Sequence, residues 1–160
     1  KILNCNAGFK GRKGTLYEGG IRVPFIVNQP GMVPIQTLDN LIYFPDMMPT
    51  LAALAKGTKH LPKQINGINI LPLFYGKQVD TDNRLLYWEF PGKQRAARKG
   101  DWKCVTIHPN QPLELYNLKE DPEETNNLAK KYPRRVKEFD EEMQRMHIPT
   151  PNWPQPGEQF

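Results

Sequence analysis

Residues 12–27 read RKGTLYEGGIRVPFIV and join two patterns that belong to different kinds of structure. The first half lies in a basic loop in which five glycines fall within thirteen residues: Gly8, Gly11, Gly14, Gly19 and Gly20. Residues 21–27 are rich in β-branched side chains, which is typical of a mostly buried strand, and Pro24 suits an edge or a bulge. The sequence therefore predicts an exposed loop followed at once by a strand.

A short helix is predicted downstream of this strand. Residues 43–56 carry Pro45 in the first turn and Gly57 as the residue just past the end, which are common boundary signals of helices. The apolar side chains of the segment recur at helical spacing and predict one apolar face: Met47, Met48, Leu51, Leu54 and Ala55. Residues 61–76 are apolar but broken by prolines and glycines, so they predict an irregular strap.

The second half of the chain predicts a small antiparallel sheet. Four short β-like runs follow one another at residues 85–90, 94–99, 102–108 and 113–118, and the tight Lys99-Gly100-Asp101 connection predicts that the middle two pair as a hairpin. Residues 132–146 then show the spacing of an amphipathic helix that covers one face of the sheet. Its apolar positions are Val136, Phe139, Met143 and Met146. The proline-rich residues 148–160 predict a surface tail.

Composition sets broad limits on the class of protein. The 160 residues hold 22 Lys+Arg against 17 Asp+Glu, a net charge of +5, and 38% are hydrophobic, which is enough for a folded chain. No apolar run approaches the ~18 residues of a membrane span, and the first residues lack the apolar core of a signal peptide. Because the sequence begins at Lys1 without a polar, flexible start, we expect it to be an excised piece.

Several kinds of site are excluded by spacing. Residues 8–15 fail the spacing of a phosphate-binding P-loop, and neither GxGxxG nor GxSxG occurs. Asp80-x-Asp82 begins like a calcium-binding EF-hand loop, but Arg84 stands where the third oxygen ligand belongs. The histidines share no metal-binding spacing and are expected to be structural or solvated: His60, His108 and His147. Cys5 and Cys104, with 98 residues between them, predict neither a disulfide framework nor a zinc site, and they leave the redox compartment open.

Two anion-binding hypotheses remain. The glycine-rich loop carries Lys10, Arg12 and Lys13, and bare glycine amides beside an ammonium suit an oxyanion. A loop of this composition is, however, more often a solvated loop with ordinary surface cations. The predicted strands hold several cations around two tryptophans, as a nucleic-acid-binding face would. These residues are Trp88, Arg95, Arg98, Lys99, Trp102 and Lys103. Because charges that alternate along strands are more often a solvated face, we expect no nucleic-acid partner.

The string at residues 12–27 resembles the second signature of the sulfatase family, within the alkaline-phosphatase-like superfamily. Further matches follow in family order, so that the resemblance runs from about Ala7 to Met146. They are Pro30-Gly31, DMMPTL at 46–51, NGINILPLFYG at 66–76, YWEF at 87–90, ARKGDWK at 97–103 and ELYNLKEDPEETNNL at 114–128. Local departures stand at Asn28-Gln29, Asn66 and Cys104, and they leave the assignment intact.

The resemblance implies an α/β fold. Residues 1–80 would be the end of the α/β catalytic domain, and residues 81–160 a C-terminal subdomain with a four-stranded antiparallel sheet, a helix and a tail. The strand at residues 21–27 and the apolar face around Met47, Leu51 and Leu54 would pack on a catalytic portion outside this chain. We therefore expect both to be exposed in the chain by itself.

The resemblance also implies hydrolysis of sulfate esters. Sulfatases use a formylglycine made from Cys or Ser in a Cys/Ser-x-Pro-x-Arg motif, together with calcium. Neither Cys5 nor Cys104 has that context, and the calcium ligands would lie upstream of Lys1. Lys13 matches the lysine that contacts the sulfate, and it is the one catalytic position that the resemblance carries onto this chain. The chain alone is therefore expected to be inactive and to hold no calcium.

The partners implied are a sulfated small molecule or glycan and the N-terminal catalytic portion. The sequence selects no particular ester, and a periplasmic or secreted location is expected only if the parent protein carries a signal peptide. Two alternatives stay open: a phosphoryl-transfer relative of the superfamily, and a non-catalytic carbohydrate-binding or interaction module on the same fold.

Overall fold

The computed structural model describes residues 6–91, 94–108, 110–151, 154, 158 and 159. Contacts divide the chain into two compact units, one of which is Pro24–Arg84. The other joins the described residues up to Val23 with those from Leu85 onward, so the glycine-rich loop packs in the same unit as the sheet. The predicted domains, residues 1–80 and 81–160, stay a prediction.

The sheet is the antiparallel meander that the sequence predicts. Its strands are β1 (Leu85–Phe90), β2 (Gln94–Lys99), β3 (Trp102–Thr106) and β4 (Glu114–Asn117), in the spatial order β1-β2-β3-β4. β3 ends two residues before the predicted boundary because the chain turns there: Thr106 Oγ1 donates to the carbonyl of His108 at 2.7 Å, and Gln111 N donates to the same carbonyl at 3.1 Å.

Different elements cover the two faces of the sheet, because side chains alternate along each strand. Helix α4 (Pro133–Met146) packs on β2 and β3 through Phe139 and Met143, as predicted, over Ala97, Cys104 and Leu115. Burial raises the pKa of the Cys104 thiol to about 12, so this cysteine is an inert core residue. Cys5 lies outside the described residues.

The glycine-rich loop packs on the opposite face of the sheet. Leu16 and Tyr17 belong to a buried cluster with side chains from three strands and from the residue after β4: Ala96, Val105, Tyr116 and Leu118. The four residues that follow Tyr17 form a single helical turn, α1 (Glu18–Ile21). The loop is therefore part of the core of its unit.

His147, the residue after α4, contacts two carboxylates. Its Nδ1 lies 2.6 Å from Oε1 of Glu89 on β1, and its Nε2 lies 2.6 Å from Oε1 of Glu158. Burial alone would lower the pKa of His147, but the hydrogen bonds with both carboxylates raise it above its ordinary value of 6.5. The protonated imidazole, which donates through both nitrogens, fits this arrangement.

We expect this contact to make stability depend on pH. A group whose pKa is raised by folding contributes stability that is present below its unfolded pKa and is lost as the pH rises through the folded value. The melting temperature should therefore fall as the pH rises above about 6.5, and His147→Gln should reduce that slope. His60→Gln, at an exposed position, is the matched control. An identical slope in His147→Gln and the parent protein would contradict the assignment.

The unit Pro24–Arg84 is organised around Asp46. A 3-10 turn (Phe44–Asp46) leads into α2 (Met47–Leu54), and α3 (Leu71–Phe74) follows the strap. Fully buried Asp46 accepts hydrogen bonds from Tyr43 N at 3.0 Å and Ile68 N at 2.9 Å, and both of its oxygens accept from the Arg84 guanidinium. Thr50 accepts from Ile70 N at 3.0 Å. The motifs at 46–51 and 66–76 therefore bind each other.

Two details of the sequence prediction are wrong. The predicted strand at residues 21–27 is absent: Ile21 ends α1, residues 22–27 form no strand, and the unit Pro24–Arg84 has no strand of its own among the described residues to supply the hydrogen bonds that a strand requires. The helix ends at Leu54, earlier than predicted, and Gly57 with φ −105° is not its left-handed C′ residue; Lys56 adopts that conformation instead, with φ 56°.

The expected exposure is confirmed for most of these apolar side chains. In the first segment, Val23 is 76% exposed, Ile26 is 86% exposed and Phe25 is open to solvent; in the second, Met48, Leu51 and Leu54 are exposed. Ile21 and Met47 are instead partly buried. The buried positions of α2 are Pro49 and Thr50. Among the described residues, no helix combines the length and apolar character needed to cross a membrane.

We expect the separately produced chain to associate, because large exposed apolar surfaces on a soluble domain promote self-association. Light scattering should show species larger than a monomer, and a dye that reports exposed apolar surface should bind. A variant with Leu51→Gln and Leu54→Gln should bind less dye, whereas Lys59→Gln should not change it. A monodisperse monomer with little dye binding would contradict this expectation.

Candidate active-site loop

Lys13 lies in a tight turn formed by residues 12–15. Thr15 N donates to the carbonyl of Arg12 at 3.0 Å, and the Thr15 hydroxyl donates to the same carbonyl at 2.9 Å and accepts from Arg12 N at 3.2 Å. Gly14 has φ 90°, in the left-handed region that residues with a Cβ rarely adopt. The sequence Arg-Lys-Gly-Thr therefore specifies a turn that presents Lys13.

The Lys13 side chain is exposed and has no hydrogen-bond or ion-pair partner within the described part of the chain. The Arg12 side chain is likewise exposed and has no such partner within the described residues. An unpaired ammonium on a turn that is held in place can approach an anionic group without first breaking a contact. This arrangement is compatible with the predicted anion contact by Lys13.

Lys10 differs from the other two cations of the loop. Its Nζ donates to the Tyr116 hydroxyl at 2.7 Å and to Glu114 Oε2 at 3.2 Å, and it lies 4.2 Å from the centre of the Tyr17 ring. Both tyrosine hydroxyls donate to the same Glu114 oxygen at 2.7 Å. Burial alone would raise the pKa of Glu114, but these hydrogen bonds and Lys10 lower it. Lys10 is therefore a structural residue.

Gln94 of β2 holds the middle of the loop. Its Nε2 donates to the carbonyl of Gly14 at 2.9 Å, and its Oε1 accepts from Leu16 N at 3.2 Å. The side-chain amide of Gln94 thereby pairs with the backbone carbonyl of Gly14 and the backbone N–H of Leu16, as a neighbouring strand would.

Glu18 is attached to the sheet by a buried ionic cluster. Its Oε1 lies 2.9 Å from Nζ of Lys103 on β3, and the same Nζ lies 2.9 Å from Oε1 of Glu124. Lys103 and Glu124 are both fully buried. Burial raises the pKa of Glu124, and the charge of Lys103 opposes that shift.

The glycines after Glu18 are required by close packing. A Cβ at Gly20 would lie 2.0 Å from the carbonyl oxygen of Thr15, and a Cβ at Gly19 would lie 2.6 Å from that of Lys10. Gly19 N also donates to the Lys10 carbonyl at 2.8 Å. The Glu-Gly-Gly sequence therefore combines a charged anchor with two positions that only glycine fits.

Lys103 does not belong to a solvated basic face, which corrects one expectation from the sequence. Arg98 and Lys103 project to the loop side of the sheet, where Arg98 Nη1 lies 3.9 Å from Glu18 Oε2. Arg95 projects to the other side, and its Nη2 lies 3.5 Å from Asp140 on α4. The period of the strand places Lys103 beside Val105, and that signal could have predicted its burial.

The remaining candidate residues do not assemble into a metal site. Among the described residues, no group of three or more His, Cys, Asp or Glu side chains could hold a metal ion. Asp80 accepts from Asn83 and Asp82 within its own turn, and the hydrogen bonds from Asn83 lower its pKa. His60 and His108 are exposed.

Comparison with known proteins gives consistent matches. A family described as N-sulphoglucosamine sulphohydrolase, C-terminal, matches residues 9–148. A sulfatase from Formosa agariphila is 32% identical over 154 residues, which cover 80% of this chain and 28% of the relative. Arylsulfatase K from Gallus gallus is 30% identical over 143 residues, which cover 80% of this chain and 26% of the relative.

Solved structures show the same fold. A Bacteroides thetaiotaomicron structure described in connection with glycosaminoglycan metabolism matches with a TM-score of 0.74 and 28% identity, over 87% of this chain and 32% of the other. A structure of Ps i-CgsB in complex with neocarrahexaose matches with a TM-score of 0.76 and 25% identity, over 92% of this chain and 34% of the other. The chain thus spans about a quarter to a third of the length of these proteins.

Proposed function

Because this chain belongs to the sulfatase family, as a C-terminal portion, we propose that it supplies the sulfate-contacting lysine to an enzyme that hydrolyses sulfate esters. The observation that carries the proposal is Lys13 itself. It is exposed and unpaired within the described residues, on a turn that Lys10 binds to β4 on one side and Glu18 binds to β3 on the other.

The proposed role of Lys13 is electrostatic. Its ammonium neutralises a non-bridging oxygen of the sulfate, and it stabilises the charge that shifts onto the oxygens as the ester bond breaks. A charge that is already in place stabilises a transition state most effectively, because no reorganisation is needed during the reaction. The contacts of Lys10 before the turn and of Glu18 after it support such preorganisation.

No cluster of ligating side chains within the described residues fits a calcium ion, and we propose that the calcium ligands lie outside this chain. The nucleophile is proposed to lie outside it as well. The chain contains no serine, and neither Cys5 nor Cys104 is followed by the x-Pro-x-Arg sequence. Cys104 is moreover fully buried with a raised thiol pKa, so it is not available for conversion or attack.

The proposed substrate class is a sulfated glycan or a small sulfate ester. Relatives named N-acetylgalactosamine-6-O-sulfatase from Bacteroides thetaiotaomicron and arylsulfatase A from Bos taurus are each 29% identical to the matched segment. The net charge of +5 favours an anionic ligand in either case.

We expect the 160-residue chain on its own to show no sulfatase activity, because both the nucleophile and the metal ligands are proposed to lie elsewhere. A chromogenic aryl sulfate with added calcium provides the assay. Turnover that persists after chelation and disappears in Lys13→Ala would contradict this expectation and reveal a complete site within the chain.

A full-length protein that contains this chain tests the enzyme proposal directly. We expect it to carry the Cys/Ser-x-Pro-x-Arg motif and to hydrolyse an aryl sulfate. A full-length protein without that motif, which bound sulfated glycans without cleaving them, would instead favour the non-catalytic carbohydrate-binding module.

A further inference from the structure

The loop that carries Lys13 is attached to the sheet by charges that solvent does not reach. Glu18 lies five residues after Lys13 in the same loop, Lys103 lies on β3, and Glu124 lies in the connection between β4 and α4. Only 4% of Glu18 is exposed, and neither Lys103 nor Glu124 is exposed at all. Nothing in the proposed chemistry of Lys13 uses these three groups directly.

Glu124 contacts the side chain of Lys103 and the main chain of Glu18. Its Oε1 lies 2.9 Å from Lys103 Nζ, and its Oε2 accepts a hydrogen bond from the backbone N–H of Glu18 at 2.6 Å. Lys103 in turn donates to the Glu18 carboxylate at 2.9 Å. Glu18 is therefore held at its main chain by one partner and at its side chain by the other.

The turn around Glu124 is built to hold that residue in place. Asp121 accepts hydrogen bonds from Thr125 N at 3.0 Å and from Asn126 N at 2.8 Å. Glu124 itself has φ 57°, a left-handed conformation that is unfavourable for a residue with a Cβ. The surrounding structure therefore imposes the position of Glu124.

A displacement of Glu18 would be transmitted to Lys13 through a short and tightly packed path. Gly19 N donates to the Lys10 carbonyl, and Gly20 lies against the Thr15 carbonyl so closely that no Cβ would fit. Thr15 closes the turn that presents Lys13 through its bonds with Arg12. Each step is a direct contact that involves backbone groups or a short side chain. Glu18 therefore cannot shift far without moving the turn.

Stability alone gives a weak reason for such a cluster. A buried ion pair rarely stabilises a protein more than well-packed apolar residues of similar size, because the charges lose their hydration. A cluster of one ammonium and two carboxylates does, however, restrict where its members can lie, since each charge must face an opposite one. The contribution of this cluster is therefore to fix the position of Glu18 relative to the sheet.

We propose that Lys103 and Glu124 are positioning residues that act through Glu18 to fix the turn carrying Lys13. The small antiparallel sheet thereby sets where the sulfate-contacting ammonium lies. This inference rests on the proposed function of Lys13, and the experiment below separates the failure of one from the failure of the other.

The test uses the full-length enzyme and Glu18→Gln. This substitution leaves Lys103 paired with Glu124, so the buried site keeps one cation and one carboxylate while the ionic link to the loop is removed. We expect kcat per folded molecule to fall by about 10- to 100-fold, because a small misplacement of a catalytic group can cost about 10²-fold. Arg95→Gln, which removes an ion pair on the other face of the sheet, is the control and should leave kcat unchanged.

A double-mutant cycle distinguishes a positioning role of Glu18 from a merely structural one. If Glu18 acts only through Lys13, then Glu18→Gln should change kcat by less than about twofold once Lys13→Ala is present, since coupled residues are not additive. Effects that multiply in the double variant, or a kcat that Glu18→Gln leaves unchanged while Lys13→Ala lowers it, would overturn the positioning inference alone. A kcat that Lys13→Ala leaves unchanged would overturn the proposed function.

Glu124→Gln carries the same test if Glu18→Gln does not fold. It keeps the Glu18–Lys103 pair and an oxygen that can accept from Glu18 N, and it removes only the charge at Glu124. The folded fraction, measured by thermal melting at the assay pH, corrects every rate. In this background as well, the loss of kcat should disappear when Lys13 is already alanine, and a loss that persists would overturn the inference.

Discussion

Lys103→Met is expected to lower the free energy of unfolding of the full-length protein by about 3–5 kcal/mol, as measured by urea denaturation. Methionine matches the length of the lysine stem, so little packing is lost. The substitution leaves the carboxylates of Glu18 and Glu124 buried beside each other without the ammonium that both contact. Removing one partner of a buried ion pair is costly because the remaining charge has neither water nor a counter-ion.

The triple variant Lys103→Met, Glu18→Gln, Glu124→Gln is the control for this prediction. It removes every charge of the cluster and should recover a large part of the lost stability, because neutral amides cost much less to bury than unpaired carboxylates. A loss in the triple variant as large as in the single one would assign the effect to packing and would contradict the electrostatic explanation.

The loss should also depend on pH. Burial already raises the pKa of Glu124 while Lys103 opposes that shift, so removing Lys103 should raise the pKa further. A carboxyl with a raised folded pKa favours the folded state at low pH and loses that contribution as the pH rises through the folded value. The deficit of Lys103→Met should therefore grow with pH, and a deficit that shrank as the pH rose would contradict the prediction.

Local patterns were enough to predict the sheet and its covering helix. The hairpin at Lys99-Gly100-Asp101 and the apolar spacing of Phe139 and Met143 depend on residues close together in sequence, and both are confirmed. Antiparallel strands joined by short turns and an amphipathic helix can be recognised without knowing what lies far away in the chain.

Features that depend on distant partners were not predicted in the same way. Residues 21–27 have the composition of a strand, but a strand also needs a partner strand, and the described part of the unit Pro24–Arg84 contains none. The alternating charges along its strand favour a solvated face for Lys103, whereas its place two residues before Val105 indicates the buried face, and the sequence does not show which charged partner lies there. The burial of Lys103 depends on Glu18, 85 residues away, which becomes a neighbour only when the loop folds onto the sheet.

In the candidate site, too, the local sequence is not enough to assign each residue its role. Composition alone could not distinguish Lys10, Arg12 and Lys13, and the resemblance to the family selected Lys13. The structure separates Lys10 from the others, because it is held by Tyr116 and Glu114, but it leaves Arg12 and Lys13 equally exposed. Burial and contacts therefore identify which cations are structural, whereas the choice between the two free ones requires measurement.

Lys13→Ala is expected to lower kcat of the full-length enzyme by about 10²–10³-fold, the usual cost of losing one preorganised electrostatic contact in a transition state. Its effect on the free energy of unfolding should stay below about 0.5 kcal/mol, as for surface positions, because the side chain has no partner in the described part of the chain. An aryl sulfate assay and urea denaturation on the same preparation measure both quantities.

Arg12→Ala is the matched control, since it removes an equally exposed charge one residue away. Lys10→Ala is a structural contrast that should lower stability, because it leaves Glu114 without its ammonium partner. If Arg12→Ala and Lys13→Ala lower kcat equally, the effect belongs to the net charge of the loop. If Lys13→Ala unfolds the protein while the rate per folded molecule is unchanged, the lysine supports the fold and does not contact sulfate. Only a loss of rate specific to Lys13 agrees with an ammonium that acts on the sulfate group.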